Sequence, residues 1–203
     1  MSNRIVTFLA IAGFCAVSIF FFDKPLAMAL HHPPSIVSDA AALVSALGLP
    51  WFWYLAAVAG IPVGWRLRAR DMARARDVLY ISVALISTWV VVATLKILFA
   101  RPRPELFFDA GLYDFQFFSI GPLLRSFPSG HTACAFALAS VAGRHLAGAR
   151  PMLMAFAVSM ALSRLVLGVH FLSDVVAGAY LGILVPALIW RAQTFVRLGA
   201  AKA

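Results

Sequence analysis

The sequence predicts an all-α polytopic membrane protein: a six-transmembrane-helix bundle with a polar site at its outer face and one interfacial helical segment. Three observations predict it. Of the 203 residues, 63% are hydrophobic and 12% are charged, against about 45–50% and about 25% in an ordinary soluble domain. Apolar runs close to the ~20 residues needed to cross a bilayer recur along the chain. The ionisable residues gather at the ends of those runs rather than within them, which is where a bilayer tolerates them. The chain is expected to form one membrane-embedded domain over residues 1–203.

The first span is expected at about residues 4–22, behind the basic Arg4. Ala27-Met28-Ala29 resembles a signal-peptide cleavage pattern, but the apolar run exceeds the usual core of about 7–15 residues, so the segment is expected to be retained. Residues 23–49 then lie outside the membrane core, with Asp23, His31, His32 and several prolines. Within them, Ser38 to Gly48 starts on cap-like residues and stops at a glycine, which predicts an interfacial or re-entrant helix. The second span, about 50–66, opens on Trp51, Trp53 and Tyr54, rings that favour the membrane–water boundary. The third span is expected at 78–99. A Phe-rich outer loop, 100–127, follows it; loops of this length are uncommon unless functional, and this one is expected to cover the site or to receive an acyl or prenyl chain. The remaining spans are expected at 129–148, 151–169 and 173–190, the last ending at Trp190. Cys15 and Cys134 lie within apolar runs and predict packing residues rather than a disulfide framework or a metal site.

A net charge of +9 would suit a nucleic-acid partner, but its distribution argues for topology instead. Arg66, Arg68, Arg70, Arg74 and Arg76 crowd one short loop. Placing that loop in the cytoplasm also places Arg4, Arg144, Arg150, Arg191, Arg197 and Lys202 there, together eleven of the seventeen basic residues. By the positive-inside bias, both termini are then cytoplasmic. The expected partners are the bilayer and a membrane lipid, with no nucleic acid; no feature of the sequence sets an oligomeric state.

This topology brings three polar blocks to one outer face. Lys96 and Arg103 end the third span, Pro128-Ser129-Gly130-His131 opens the fourth, and Arg164, His170 and Asp174 lie at the turn between the fifth and sixth. His170 and Asp174 are four apart, so on a helix they share a face, about 6 Å apart along the axis. A carboxylate there fixes the tautomer of the imidazole and raises its basicity, as a nucleophilic histidine needs. Ser129 and Gly130 at a helix N-terminus offer N–H groups and a hydroxyl suited to phosphate, with His131 placed to protonate a leaving oxygen. Lys96, Arg103 and Arg164 suit the equatorial oxygens of a transferring phosphoryl group. Arg101 and Arg125 read more simply as snorkelling side chains at helix ends. The alternative use of His131, His170 and Asp174 as zinc ligands is disfavoured, because three nearby cations repel a metal and attract an anion.

These blocks resemble the three-part signature of the type 2 phosphatidic acid phosphatase superfamily, a group of membrane lipid phosphatases related to vanadium haloperoxidases. They match it in order and at every signature position. The resemblance implies His170 as nucleophile, Asp174 as its orienting partner, and His131 as general acid. It implies Lys96, Arg103, Ser129, Gly130 and Arg164 as phosphate ligands, and no metal or cofactor.

The expected activity is therefore hydrolysis of a lipid phosphate or pyrophosphate through a phosphohistidine, at the periplasmic face of a bacterial-type inner membrane. Undecaprenyl pyrophosphate, phosphatidylglycerol phosphate, phosphatidic acid and lipid A 1-phosphate are the candidate substrates. The alternatives are a lipid phosphotransferase using the same residues and a non-enzymatic phospholipid-binding membrane protein. A haloperoxidase is disfavoured, since those relatives are typically soluble.

Overall fold

Large apolar side chains cover the outside of the molecule, among them Phe20, Ile36 and Phe118, while Asp23, Arg101, Ser129 and Asp174 are enclosed. That inverts the arrangement of a water-soluble protein and suits a surface solvated by lipid. The computed structural model describes residues 2–200. Lys202 and the side chain of Arg197, both assigned above to the cytoplasmic side, lie outside the described residues and side chains.

Nine α-helices account for the regular structure of the described residues: α1 (Ser2–Phe21), α2 (Asp23–Ala29), α3 (Ser35–Leu47), α4 (Pro50–Leu67), α5 (Met72–Phe99), α6 (Pro104–Ala110), α7 (Gly130–His145), α8 (Arg150–Val166) and α9 (Leu172–Ala200). Single 3-10 turns at Pro122–Leu124 and Ala147–Ala149 complete it. Their ends have local causes. Pro50 and Pro104 open α4 and α6 at positions where a missing N–H is harmless. The Asp71 carboxylate caps α5 by accepting from the Arg74 N–H at 3.0 Å. Gly111, at φ 68°, closes α6 in the left-handed region.

Each expected span has a helix, and the segment expected to be interfacial forms α3, which stops at Leu47 with Gly48 as its C-cap and starts three residues earlier than expected, at Ser35. Five segments are long and apolar enough to cross a membrane: Asn3–Phe21, Ser35–Leu67, Met72–Ala110, Ala147–Val166 and Leu172–Thr194. The second of these joins α3 and α4 across the bend at Gly48. The expected fourth span differs. As α7 it holds 16 residues, about 24 Å of helix, short of the ~30 Å hydrocarbon core. Its neighbours explain this: α7 packs against α4, α5, α8 and α9, so its backbone is shielded by protein rather than by lipid.

Small residues make that central position possible. Ala133, Ala135, Ala137 and Ala139 of α7 are buried, and α9 meets α7 through Gly178 and Gly182. A Cβ on Gly178 would sit 2.6 Å from the Ser129 carbonyl oxygen, and one on Gly182 would collide with the carbonyl of Ala133. Close approach through glycines four apart is a membrane-helix packing device. Here it locks the start of α7 against the start of α9.

The bundle has two unlike ends. At one, Asp77, Arg144, His145, Arg150 and Trp190 surround a cavity of about 540 Å³. Lys96 lies nineteen residues beyond Asp77 along α5, about 28 Å away, and marks the other end, where the three polar blocks meet.

Candidate active site

The three blocks converge through backbone as well as side chains. The Ser129 N–H donates to the Asp174 carbonyl at 2.9 Å, the Ser126 N–H to the Arg101 carbonyl at 3.0 Å, and the Arg103 N–H to the Leu123 carbonyl at 2.9 Å. The Lys96 ammonium bonds the Arg125 carbonyl and reaches the Ser126 carbonyl at 3.5 Å. The loop between α6 and α7 is thereby pinned to the ends of α5 and α9.

His170 lies in the turn between α8 and α9, which starts where Gly168 takes φ +60°. It precedes α9 instead of sharing its face with Asp174, because α9 begins only at Leu172. The pairing survives by a different geometry. Asp174 sits in the first turn and its Oδ2 accepts the Phe171 N–H at 2.9 Å, the backward half of a capping box. That oxygen also faces Nδ1 of His170 at 3.6 Å. The Ser126 hydroxyl donates to it at 2.5 Å and stands 3.4 Å from the same ring nitrogen. Burial pushes His170 below the usual imidazole range, to about 4; contact with Asp174 opposes the shift, and the charges of Lys96 and Arg164 add to it. At neutral pH the ring is uncharged, the form in which a lone pair is available for attack.

Around it stand cations without carboxylate partners. His131, in the first turn of α7, shares its electrostatic surroundings with Arg164, His170, Lys96 and Arg103. Among the described residues no carboxylate lies within ion-pair distance of Lys96, Arg103 or Arg164. The Nε atoms of Arg103 and Arg164 are buried without an acceptor; one terminal nitrogen of Arg164 bonds the Ser45 hydroxyl of α3. Ser129 occupies the N-cap position of α7 but makes no capping bond; its hydroxyl accepts from Thr132 at 3.0 Å, leaving its own proton free. A Cβ on Gly130 would meet nothing closer than Lys96 Cε at 3.7 Å. The arrangement offers buried donors and positive charge to an anion.

A groove of about 540 Å³ leads from these groups toward the lipid-facing surface. Lys96, Arg125 and Gly130 line its polar end, and Trp51, Tyr54, Trp89 and Val92 line its sides.

Arg101 departs from expectation. It does not snorkel; it is fully enclosed, bridging Asp174 Oδ1 at 2.7 Å and Asp23 Oδ2 at 2.8 Å. Tyr113, Phe115 and Phe171 lay their rings over its guanidinium at 5.0, 5.3 and 4.4 Å, so the Phe-rich loop walls this network. Sequence reasoning also missed Ser126 and Ser173 as parts of the site. The available signal was weak: polar residues one to three positions from signature residues.

Residues 77–197 match the PAP2 superfamily over more than half of the chain. The chain belongs to that superfamily. It is 29% identical over 176 residues to a Rhizobium etli protein named lipid A 1-phosphatase, across 82% of this chain and 75% of that one. The crystal structure of Aquifex aeolicus LpxE superposes at TM-score 0.59 with 25% identity, covering 83% of this chain and 94% of the other. A transmembrane PAP2-type phosphatidylglycerolphosphate phosphatase from Bacillus subtilis superposes at TM-score 0.68 with 22% identity, covering 97% and 98%; that likeness shows the fold. The protein is thus a multi-pass membrane lipid phosphatase, a hydrolase of phosphoric monoesters.

Proposed function

We propose that the protein removes the 1-phosphate of lipid A, by way of a phosphohistidine on His170, at the periplasmic face of the inner membrane. One observation carries the chemistry: a buried neutral imidazole, backed at Nδ1 by Asp174 and Ser126, stands among three cations that lack carboxylate partners. A phosphate monoester supplies the missing charge. The groove supports a lipid substrate, since it joins the polar site to aromatic walls open to the bilayer. The choice of lipid rests on the relatives that match most of the chain, which carry the lipid A 1-phosphatase name.

In the first step the free nitrogen of His170 attacks phosphorus and the bond to the sugar oxygen breaks. His131, which takes up its proton once the phosphate's negative charge enters the cluster of cations around it, gives that proton to the oxygen, and Lys96, Arg103, Arg164, Ser129 and Gly130 hold the three peripheral oxygens. In the second step His131 takes a proton from water, which attacks phosphorus, and the P–N bond breaks to release inorganic phosphate. The basic stretch 66–76, where α4 gives way to α5 at the far end of the bundle, supports the periplasmic reading by the positive-inside bias.

Phosphate release from lipid A 1-phosphate, phosphatidylglycerol phosphate, phosphatidic acid and undecaprenyl pyrophosphate, in detergent with EDTA, tests this reading. Lipid A 1-phosphate is expected to be cleaved fastest, with acid-labile label trapped on the wild-type protein and not on His170→Ala. Faster cleavage of another lipid overturns the substrate. Full activity of the His170→Ala protein overturns the mechanism.

A further inference from the structure

We infer that Asp23, with Arg101, is a positioning residue for catalysis: the pair anchors the Asp174 carboxylate from behind and sets how strongly it holds His170. The inference rests on the phosphohistidine reading above. It reaches outside the region that matches the superfamily, residues 77–197, because Asp23 belongs to the short helix α2.

The geometry is that of a buried network in which both carboxylates and both terminal nitrogens of Arg101 are hydrogen-bonded, while the Arg101 Nε is buried without an acceptor. Asp23 Oδ1 accepts from the Ser18 hydroxyl at 2.7 Å and from the Ser173 N–H at 3.0 Å. Its Oδ2 accepts from Arg101 at 2.8 Å and from the Ser173 hydroxyl at 2.5 Å, with the Tyr113 hydroxyl at 3.4 Å. The other terminal nitrogen of Arg101 donates to Asp174 Oδ1 and to the Ser173 hydroxyl, both at 2.7 Å. Asp174 therefore turns one oxygen to Arg101 and the other to Ser126 and His170, and cannot rotate without breaking both sets.

Two carboxylates on one guanidinium leave the group with a net negative charge, and this is the point of the second one. Arg101 paired with Asp174 alone would withdraw most of that carboxylate's charge from His170. Sharing Arg101 with Asp23 keeps Asp174 electron-rich toward the ring. Buried ions are expensive to desolvate, and apolar replacements of similar volume are often at least as stable, so packing alone gives no reason for this cluster. Ser173 and the start of α9 complete it: Asp23 caps the second N–H of the helix whose first turn carries Asp174.

The charged and titratable groups facing His170 are Lys96 from α5, His131 from α7, Arg164 from α8 and Asp174 from α9; all remain in the variants proposed. Asp23→Asn removes a negative charge behind Asp174. The acidic limb of kcat/KM is expected to move to lower pH, with kcat down by about tenfold or more and KM changed by less than about twofold. Arg101→Met removes a positive charge, and its limb is expected to move the opposite way, to higher pH. The double variant, which removes one charge of each sign, is expected to return the limb toward wild type. A purely structural role predicts loss of folded protein but no opposed displacement of the limbs. Limbs that coincide with wild type, or move in the same direction, overturn the inference.

Should either neutral variant fail to fold, Asp23→Glu and Arg101→Lys keep the charges while disturbing the fit. Both are expected to lower kcat with the limb in place, and unchanged kcat in both overturns the inference. Wild-type protein inactive on every lipid phosphate would sink the phosphatase reading instead, so the two failures are separable.

Discussion

The hydroxyl of Ser126 donates to Oδ2 of Asp174 at 2.5 Å, binding the loop before α7 to the carboxylate that faces the imidazole of His170. Ser126→Ala removes a hydrogen bond to a charged group, worth about 1.5–3 kcal/mol. If that bond holds Asp174 in its working orientation, kcat should fall by about 10–100-fold with little change in KM. Steady-state kinetics on a lipid phosphate check this; wild-type kcat in the alanine variant would show that Arg101 and Phe171 suffice to orient the carboxylate.

His131 is assigned to protonate the leaving oxygen, and its variants should respond to the leaving group. His131→Ala is expected to slow cleavage of a lipid phosphate by about 10²–10⁴-fold, the usual contribution of a general acid. Cleavage of p-nitrophenyl phosphate should suffer much less, because p-nitrophenolate departs without a proton. Equal losses on both substrates would move His131 to some other role.

Acid should act on His170 in a defined window. Its ring titrates near pH 4 in the folded protein, against about 6.5 in an unfolded chain. Between those values the unfolded state binds more protons, so stability rises with pH across the window. The contribution is fully present above about pH 6.5 and is lost as pH falls toward 4. Melting temperature in detergent should decline through that range in wild type and decline less in His170→Gln. Identical slopes would show that other groups control acid sensitivity.

The contact of α7 with α9 should tolerate no side chain at Gly178. Its Cβ would lie 2.6 Å from the Ser129 carbonyl oxygen, so Gly178→Val must displace the start of α7 or of α9. Overpacking of this kind costs about 1–3 kcal/mol, and here activity should drop with stability because Ser129 moves. Gly13→Ala is the control: nothing lies within 4 Å of its Cβ, and its melting temperature should match wild type or exceed it slightly.

Lys96, Arg103, His131, Arg164 and His170 were legible in the sequence because each sits at the end of an apolar run, where an ionisable group is conspicuous. Arg101 stands in the same place and was misread. An arginine near a helix end satisfies itself equally well by reaching water or by pairing inside, and only the partner decides. That partner, Asp23, is 78 residues away and looked like an ordinary polar residue after the first span. The spacing of His170 and Asp174 suggested one helical face; the backbone instead turns at Gly168, and the carboxylate folds back onto Phe171. The length of α7 was overestimated because hydropathy counts apolar residues without knowing whether lipid or protein surrounds them.

Asp23 follows directly on α1, the helix that the sequence could almost have passed off as a disposable export signal. A chain cut after Ala29 would keep every signature residue and still strip Arg101 of one of its two counter-ions. Such a shortened protein would look intact to any motif search and yet lose the net negative charge beneath its imidazole. Fusions or tags that replace the leading helix should therefore be joined upstream of Ser18, the first residue to bond that carboxylate.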